Sequence, residues 1–314
     1  MTLHQAIRRL AVLVALVTAL LLPLGVTAQD KNTFTNAAEA GADFVVQGEY
    51  DGEIAGKGKL GAQVVAKGDG KFEVYFLGGG LPGAGWDQKV RVKTAAKTEG
   101  TKTVVAANKD GYSGEIADGK LTGKLGDDAF TLKKVERKSS TLGAKPPEGA
   151  QVLFDGKSAD QWGGGKIVEG DLLFCGTNSK KGIGLGTLHV EFRTPFQPKA
   201  GGQGRGNSGV YVQGTEVQVL DSFGLVGDTG ECGAIYSKRK PDVNMCFPPL
   251  AWQTYDIEMK EDKENNITLT VLHNGVKVHD NVAIKKGPTK PVTINLQNHG
   301  NPVVFKNIWF VEAK

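Results

Sequence analysis

Cysteine occurs only three times in the 314-residue chain, and aromatic residues make up just 7% of it. Charge of one sign is also lacking: 38 Lys and Arg stand against 34 Asp and Glu. A balance this close to neutral provides no strong field for the phosphate backbone of a nucleic acid. Beyond the N-terminus no stretch reaches the roughly 18 apolar residues that a membrane span needs. One shorter run does exist, from Leu10 to about Leu22, preceded by Arg8 and Arg9 and followed by the small-residue site Val26-Thr27-Ala28. That pattern predicts a signal peptide over residues 1–28 and an exported protein, periplasmic or extracellular, with an uncleaved membrane anchor as the other reading. No cysteine lies near the cleavage site, which argues against a lipoprotein.

With so few cysteines, spacing decides their reading. Cys232 and Cys246 bracket the loop "CGAIYSKRKPDVNMC", and Cys175 is alone. In an exported chain the expectation is a Cys232–Cys246 disulfide, which would contribute roughly 3 kcal/mol by closing a loop of about 15 residues. Zinc is the weaker reading, because no second Cys or His pair stands at ligand spacing.

Glycine is abundant, at 44 residues, and Pro, Asn and Asp recur between short Val/Ile/Thr/Phe runs. Turn-linked strands have this texture, so the predicted class is all-β. Length predicts two domains. Residues 40–136 read as a small antiparallel β-meander, in which "GEYDGEI" is echoed by "GEIADGK". The Ser/Gly/Pro-rich 137–148 reads as a linker, and 149–314 as a β-sandwich. Nothing catalytic shows in the first domain, which reads as a binding or spacer module.

In the second domain "TLHVEFRTP" alternates strictly, with Leu188, Val190 and Phe192 on one face and His189, Glu191 and Arg193 on the other. "GNSGVYVQG" and "TEVQVLDS" follow the same rule. If these strands are neighbours, Glu191, Arg193, Tyr211, Gln213, Glu216 and Gln218 tile one concave polar surface. Asn274-Gly275 marks a tight hairpin.

The blocks "VLFDGKSADQW", "GNSGVYV", "EVQVLDS", "CGAIY", "PPLAWQTYDI", "LHNGVKV" and "LQNHGNPVVFKNIW" resemble, in order, those of the 3-keto-disaccharide hydrolase family, over about residues 149–314. The resemblance implies a concanavalin-like, laminarinase-like sandwich (jelly roll) and activity on a saccharide, with noncatalytic carbohydrate binding or cell-surface adhesion as the alternative. The E-x-D-x-x-E strand of glucanases on this fold is missing. Glu216 and Asp221 are five apart and point to opposite faces of an unbroken strand, which disfavours a two-carboxylate mechanism. A 3-keto sugar needs less, because the ketone acidifies the C2 proton and one base with an enolate stabiliser suffices. His299 and Glu216 are the candidate bases. Arg193 is a candidate for the oxyanion, or else an ion-pair partner of Glu191 or Glu216. Glu191, Asn207, Tyr211, Gln218, Asp221, Tyr236 and Gln297 are candidate substrate contacts. His299 also suits a divalent metal, or simply caps its turn; Trp252 and Trp309 read as core.

Overall fold

The computed structural model describes residues 32–286 and 290–313. The expected signal peptide and its cleavage site lie outside the described residues. Among them, no helix is long and apolar enough to cross a membrane.

The first eight strands are β1 (Gly48–Ile54), β2 (Gly58–Gly68), β3 (Lys71–Gly78), β4 (Arg91–Glu99), β5 (Lys102–Val105), β6 (Tyr112–Ala117), β7 (Lys120–Leu125) and β8 (Asp128–Val135). Each pairs antiparallel with the next, as a meander does. β1 also pairs with β8, from Glu49 opposite Val135 to Ile54 opposite Phe130, so the meander closes into a barrel with no free edge. Asp69-Gly70 and Asp118-Gly119, all at positive φ, supply the two-residue turns whose twist matches their strands. Tyr50, Val64, Val74, Phe76, Leu121 and Leu132 fill the interior, with Phe76 stacked on Tyr112 at 4.3 Å. The barrel centre is thus packed with side chains.

The remaining strands are β9 (Gln151–Phe154), β10 (Trp162–Gly163), β11 (Ile167–Val168), β12 (Leu172–Phe174), β13 (Thr177–Ile183), β14 (Gly186–Arg193), β15 (Ser208–Val212), β16 (Thr215–Val219), β17 (Gln253–Glu261), β18 (Asn266–His273), β19 (Val276–Lys286), β20 (Val292–Leu296) and β21 (Val304–Glu312). They form a five-stranded sheet, β10-β13-β20-β15-β16, and an eight-stranded sheet, β11-β12-β21-β14-β17-β18-β19, with β9 pairing to β21. The alternation works as expected: Val210, Val212, Val217, Val219 and Leu296 of one sheet and Leu188, Val190, Phe192, Ile257 and Leu269 of the other share one buried core. Asn274 (φ 54°) and Gly275 (φ 81°) make the β18–β19 turn. The positive φ of Gly275 is what favours glycine there; a Cβ would lie 1.9 Å from the Ser140 hydroxyl, which would have to rotate away.

That contact belongs to the segment between barrel and sandwich, which lies along the eight-stranded sheet. Arg137 grips Glu49 of the barrel through two nitrogens, both at 2.6 Å. The hydroxyls of Ser139 and Thr141 meet that of Thr254, Thr141 donates to Asp256, and the Gly143 N–H donates to Glu191.

Two expectations need correction. β14 and β15 are not neighbours: the chain crosses between sheets over 194–207, so the polar faces of β14 and of β15–β16 lie on opposite outer surfaces of the sandwich. Alternation separates inside from outside but does not say which sheet a strand joins. The expected Cys232–Cys246 bridge is not formed either; all three cysteines are free thiols. The Cys232 sulfur instead meets the Tyr255 hydroxyl at 3.2 Å, and the Cys246 thiol points to the carbonyls of Leu220 and Phe247.

Candidate functional site

The polar outer face of β15, β16 and β20 gathers most of the expected site. Tyr211 and Glu216 are direct cross-strand partners, and the Tyr211 hydroxyl donates to Glu216 Oε2 at 2.7 Å. Gln297 Nε2 donates in turn to the Tyr211 oxygen at 3.2 Å. Glu216 folds back over Gly209, where a Cβ would lie 2.2 Å from its Oε1, so the glycine makes room for the carboxylate. The register that brings Gln297 alongside is fixed by two bonds: the Gln297 N–H to the Gly209 carbonyl and the Ser208 hydroxyl to the Gln297 carbonyl.

Glu216 is 7% exposed. Burial pushes its pKa up, against the opposing pull of the Tyr211 hydrogen bond and the charge of nearby His299. Tyr211 is pushed up to about 12, first by burial and then by the Glu216 carboxylate. His299 is exposed, and its ring makes no hydrogen bond among the described residues. The turn is capped by its neighbour instead, with Asn298 Oδ1 accepting from the Gly300 N–H. Residues 232–236 run beside β16, bonded at Gln218 and Glu216, which sets the partly exposed Tyr236 at the same edge.

Gln218 and Asn207 sit on this face one and two positions further along, each 1% exposed. Both donate through their amide nitrogens to Gln203 Oε1, at 3.0 and 2.9 Å. The Asn207 N–H is held by Asn301 Oδ1. Gln203, Gly209 and Asn301 were not singled out from the sequence. The signal that was there is one long amide among small residues in "GGQGRGNSG", a loop where only Gln203 and Arg205 can reach far.

Three expected residues lie elsewhere. Arg193 is on the opposite face, paired with Glu169 at 2.5 Å and lying over the Trp252 ring. Glu191 is buried under the 137–147 segment, beside His189, Asn307 and Lys306. Asp221 is 2% exposed in an ion pair with Arg205 at 2.6 Å, as a carboxylate folded in behind β16 must be. Of the tryptophans, Trp309 is buried and stacked on His189, and Trp252 is half-buried. Among the described residues no three His, Cys, Asp or Glu side chains gather as metal ligands.

Four carboxylates are buried in the described chain. Glu49 has Arg137, Glu191 has His189, and Asp221 has Arg205. Glu216 alone has no cation in contact, and a hydroxyl is its only hydrogen-bond partner. Structural carboxylates are neutralised where they are buried; an unpaired one with a raised pKa, beside titratable neighbours, suits proton transfer.

Residues 149–311 match the model of the 3-keto-alpha-glucoside-1,2-lyase-like domain, the 3-keto-disaccharide hydrolase family. The chain belongs to that family. The match spans the sandwich and leaves the barrel outside it. Two crystal structures of Parabacteroides distasonis proteins, provisionally described as glycosyl hydrolases, are similar to part of the chain. One, at 2.13 Å resolution, is 29% identical over 53% of this chain and 85% of its own, with a TM-score of 0.46. The other, at 1.70 Å, is 19% identical over 57% of this chain and 100% of its own, with a TM-score of 0.41. A comparison with curated proteins gives no match.

Proposed function

We propose that this family member cleaves 3-keto-glycosides by removing the C2 proton, with Glu216 as the base. The observation that supports this most is the buried, uncompensated carboxylate of Glu216. Its second oxygen is held by Tyr211, which leaves Oε1 over Gly209 to take a proton. In the forward step the C2–H pair moves toward the C3 ketone as an enolate. The enolate then expels the C1 substituent and leaves a C1=C2 double bond. The leaving alkoxide takes up a proton, for which Glu216 in its acid form and exposed His299 are the nearby donors. Water then adds at C1 and a proton returns to C2, so the net reaction is hydrolysis. Arg193 has no part in this reading, since it faces the other side of the sandwich. Donors for the enolate oxygen on the right face are His299 and the Tyr236 hydroxyl.

A 3-keto-glucoside deuterated at C2 is the discriminating substrate. Deuterium should wash out into solvent during turnover. Full retention in the released sugar, or equally fast cleavage of the unoxidised glucoside, would rule out elimination.

We also propose that the protein works outside the cytoplasm, a reading supported by the signal-like N-terminus. N-terminal sequencing of the mature protein should then start near Gln29. A chain still beginning at Met1 would count against export by cleavage.

A further inference from the structure

The outer face of the five-stranded sheet carries a second polar feature beside Tyr211. Register puts Asn295 of β20 directly across from Tyr211, and Asn178 of β13 directly across from Asn295. Glu216 lies on the other side of Tyr211, and Tyr236 is bonded alongside Glu216. One row therefore crosses the strands in the order Tyr236, Glu216, Tyr211, Asn295, Asn178. At about 4.8 Å per strand, Asn295 and Asn178 stand about 10 and 14 Å from Glu216. Both are open to solvent, Asn178 exposed and Asn295 half-buried. Among the described residues their side chains make one hydrogen bond, to each other, at 2.9 Å. Whichever way the two amides are turned, one NH₂ group and one carbonyl oxygen stay free, and the bonded nitrogen keeps its second N–H. Asparagine is depleted in strands, yet here two face each other within a sheet. Just past Asn178 the register between β13 and β20 shifts, with Ser179 Oγ accepting from the Ile294 N–H where a ladder carbonyl would stand. Bulges of this kind re-aim side chains and gather beside functional sites. Beyond Asn178 the row ends at Gly163, which has no side chain to close it off.

We propose that Asn295 and Asn178 bind the leaving group of the substrate, and that this leaving group is a second sugar. The inference rests on the reading of Glu216 as the base and names the other half of the molecule it acts on. C3, C2 and C1 are consecutive atoms of the ring. With the C2 proton at Glu216 and the C3 oxygen at Tyr236, C1 falls on the Tyr211 side, and the group it carries lies over Asn295 and Asn178. The turn bearing His299 leaves the end of β20, on that same side, which gives the departing oxygen a proton donor. A donor and an acceptor side by side match neighbouring hydroxyls of a pyranose, each of which both donates and accepts. An alkyl leaving group offers them nothing. Asn295 and Asn178 touch no reacting atom in this arrangement; they determine specificity.

The test measures kcat and KM on two substrates with the same reacting ring, a 3-keto-glucosyl-glucose disaccharide and methyl 3-keto-glucoside. Asn295→Ala and Asn178→Ala should each lower kcat/KM for the disaccharide by roughly 3–10-fold, the worth of a hydrogen bond or two between neutral groups, and leave the methyl glycoside within about twofold of wild type. Tyr236→Phe, at the ketone end, should lower both substrates by the same factor. Both asparagine side chains reach solvent, so melting temperatures should stay at the wild-type value and a loss of rate cannot be put down to unfolding. Asparagine variants that affect the two substrates equally, or leave the disaccharide untouched, would overturn the proposal, as would a Tyr236→Phe effect confined to the disaccharide. If neither keto substrate turns over, the reading of Glu216 as base fails on its own. The subsite is then tested by calorimetric titration with the unoxidised disaccharide and methyl glucoside: the asparagine variants should weaken the disaccharide alone, and equal weakening or no binding overturns it.

Discussion

Glu216→Gln should lower turnover of a 3-keto-glucoside by roughly 10²–10⁴-fold, the range a positioned general base supplies, while leaving the protein at least as stable as the wild type at neutral pH. The two halves have one cause. Glutamine keeps the shape and still accepts from Tyr211, so the hydrogen bond of 2.7 Å has a counterpart. What it loses is the ability to take a proton. Because burial raises the Glu216 pKa in the folded state, ionising it works against the fold. That cost is absent below the unfolded value of about 4.3, grows as pH rises toward the folded value, and is constant above it. A neutral amide avoids it, so the advantage of Glu216→Gln in melting temperature should be nil in acid and full at pH 7–8. The same raised pKa sets the acid limb of the wild-type kcat/KM profile above an ordinary glutamate's. Gly209→Ala should reproduce much of the catalytic loss by displacing the carboxylate without removing it. His299→Ala, on the exposed rim, should cost less than Glu216→Gln; the reverse order would move the base to His299. Unchanged turnover in Glu216→Gln would sink the mechanism.

Strand patterning was legible where local chemistry decides it. The alternation of β14, β15 and β16 and the Asn274-Gly275 turn depend on neighbours in sequence, and the structure keeps the apolar set of each strand in the core, although His189, Glu191, Glu216 and Gln218 on the other face are covered as well. Long-range pairing was not legible. Barrel closure joins Glu49 to Val135, and nothing local in "GEYDGEI" announces a partner so far along the chain. The same blindness merged Glu191 and Arg193 with Glu216, although their strands lie in different sheets. Within the site, Glu216, Tyr211, Gln218, Gln297 and His299 could be picked out as polar residues on turns and outward faces. Gln203 could not, because its role comes from two carbonyls, its own and that of Gly230, that only the folded loops bring together. Gly209 hid for a similar reason: a glycine in a strand announces a close approach but not what approaches. For the cysteines, spacing correctly brought Cys232 and Cys246 together, where each thiol acts on the other's ionisation, but proximity is not a bond and both remain free.

His189→Phe should destabilise the protein by about 3–5 kcal/mol, the usual cost of removing one partner from a buried ionic cluster, and should flatten the fall of stability above neutral pH. His189 is fully buried on the outer face of β14, yet its Nδ1 lies 2.6 Å from Asp256 and its Nε2 3.5 Å from Glu191. Burial works against its charge, but the hydrogen bonds and charges of Asp256 and Glu191 outweigh that, so its pKa is raised. Burial likewise opposes ionisation of Glu191, and His189, Asn307 and the Gly143 N–H together bring its pKa below the ordinary value. Lys306, 3.8 Å from Glu191, is the other charged group facing the cluster. The signs follow from these directions. The His189 contribution is complete below its unfolded pKa of about 6.5 and is lost as pH rises through the higher folded value. The Glu191 contribution is present above about 4.3 and is lost as pH falls through the lower folded value. The cluster is therefore strongest at mildly acid pH, and there it holds the chain between barrel and sandwich, since Asp256 accepts from Thr141 and Glu191 from Gly143. Phenylalanine would keep the stacking on Trp309, at 4.8 Å in the wild type, so packing alone cannot produce the loss. Denaturant unfolding at pH 6 and pH 9 measures both effects. Wild type should lose stability between the two, and His189→Phe should lose much less. Adding Glu191→Gln and Asp256→Asn should recover part of the deficit by removing the carboxylates left unpaired. Equal slopes in wild type and His189→Phe would mean that the imidazole is neutral and the cluster is held by hydrogen bonds alone.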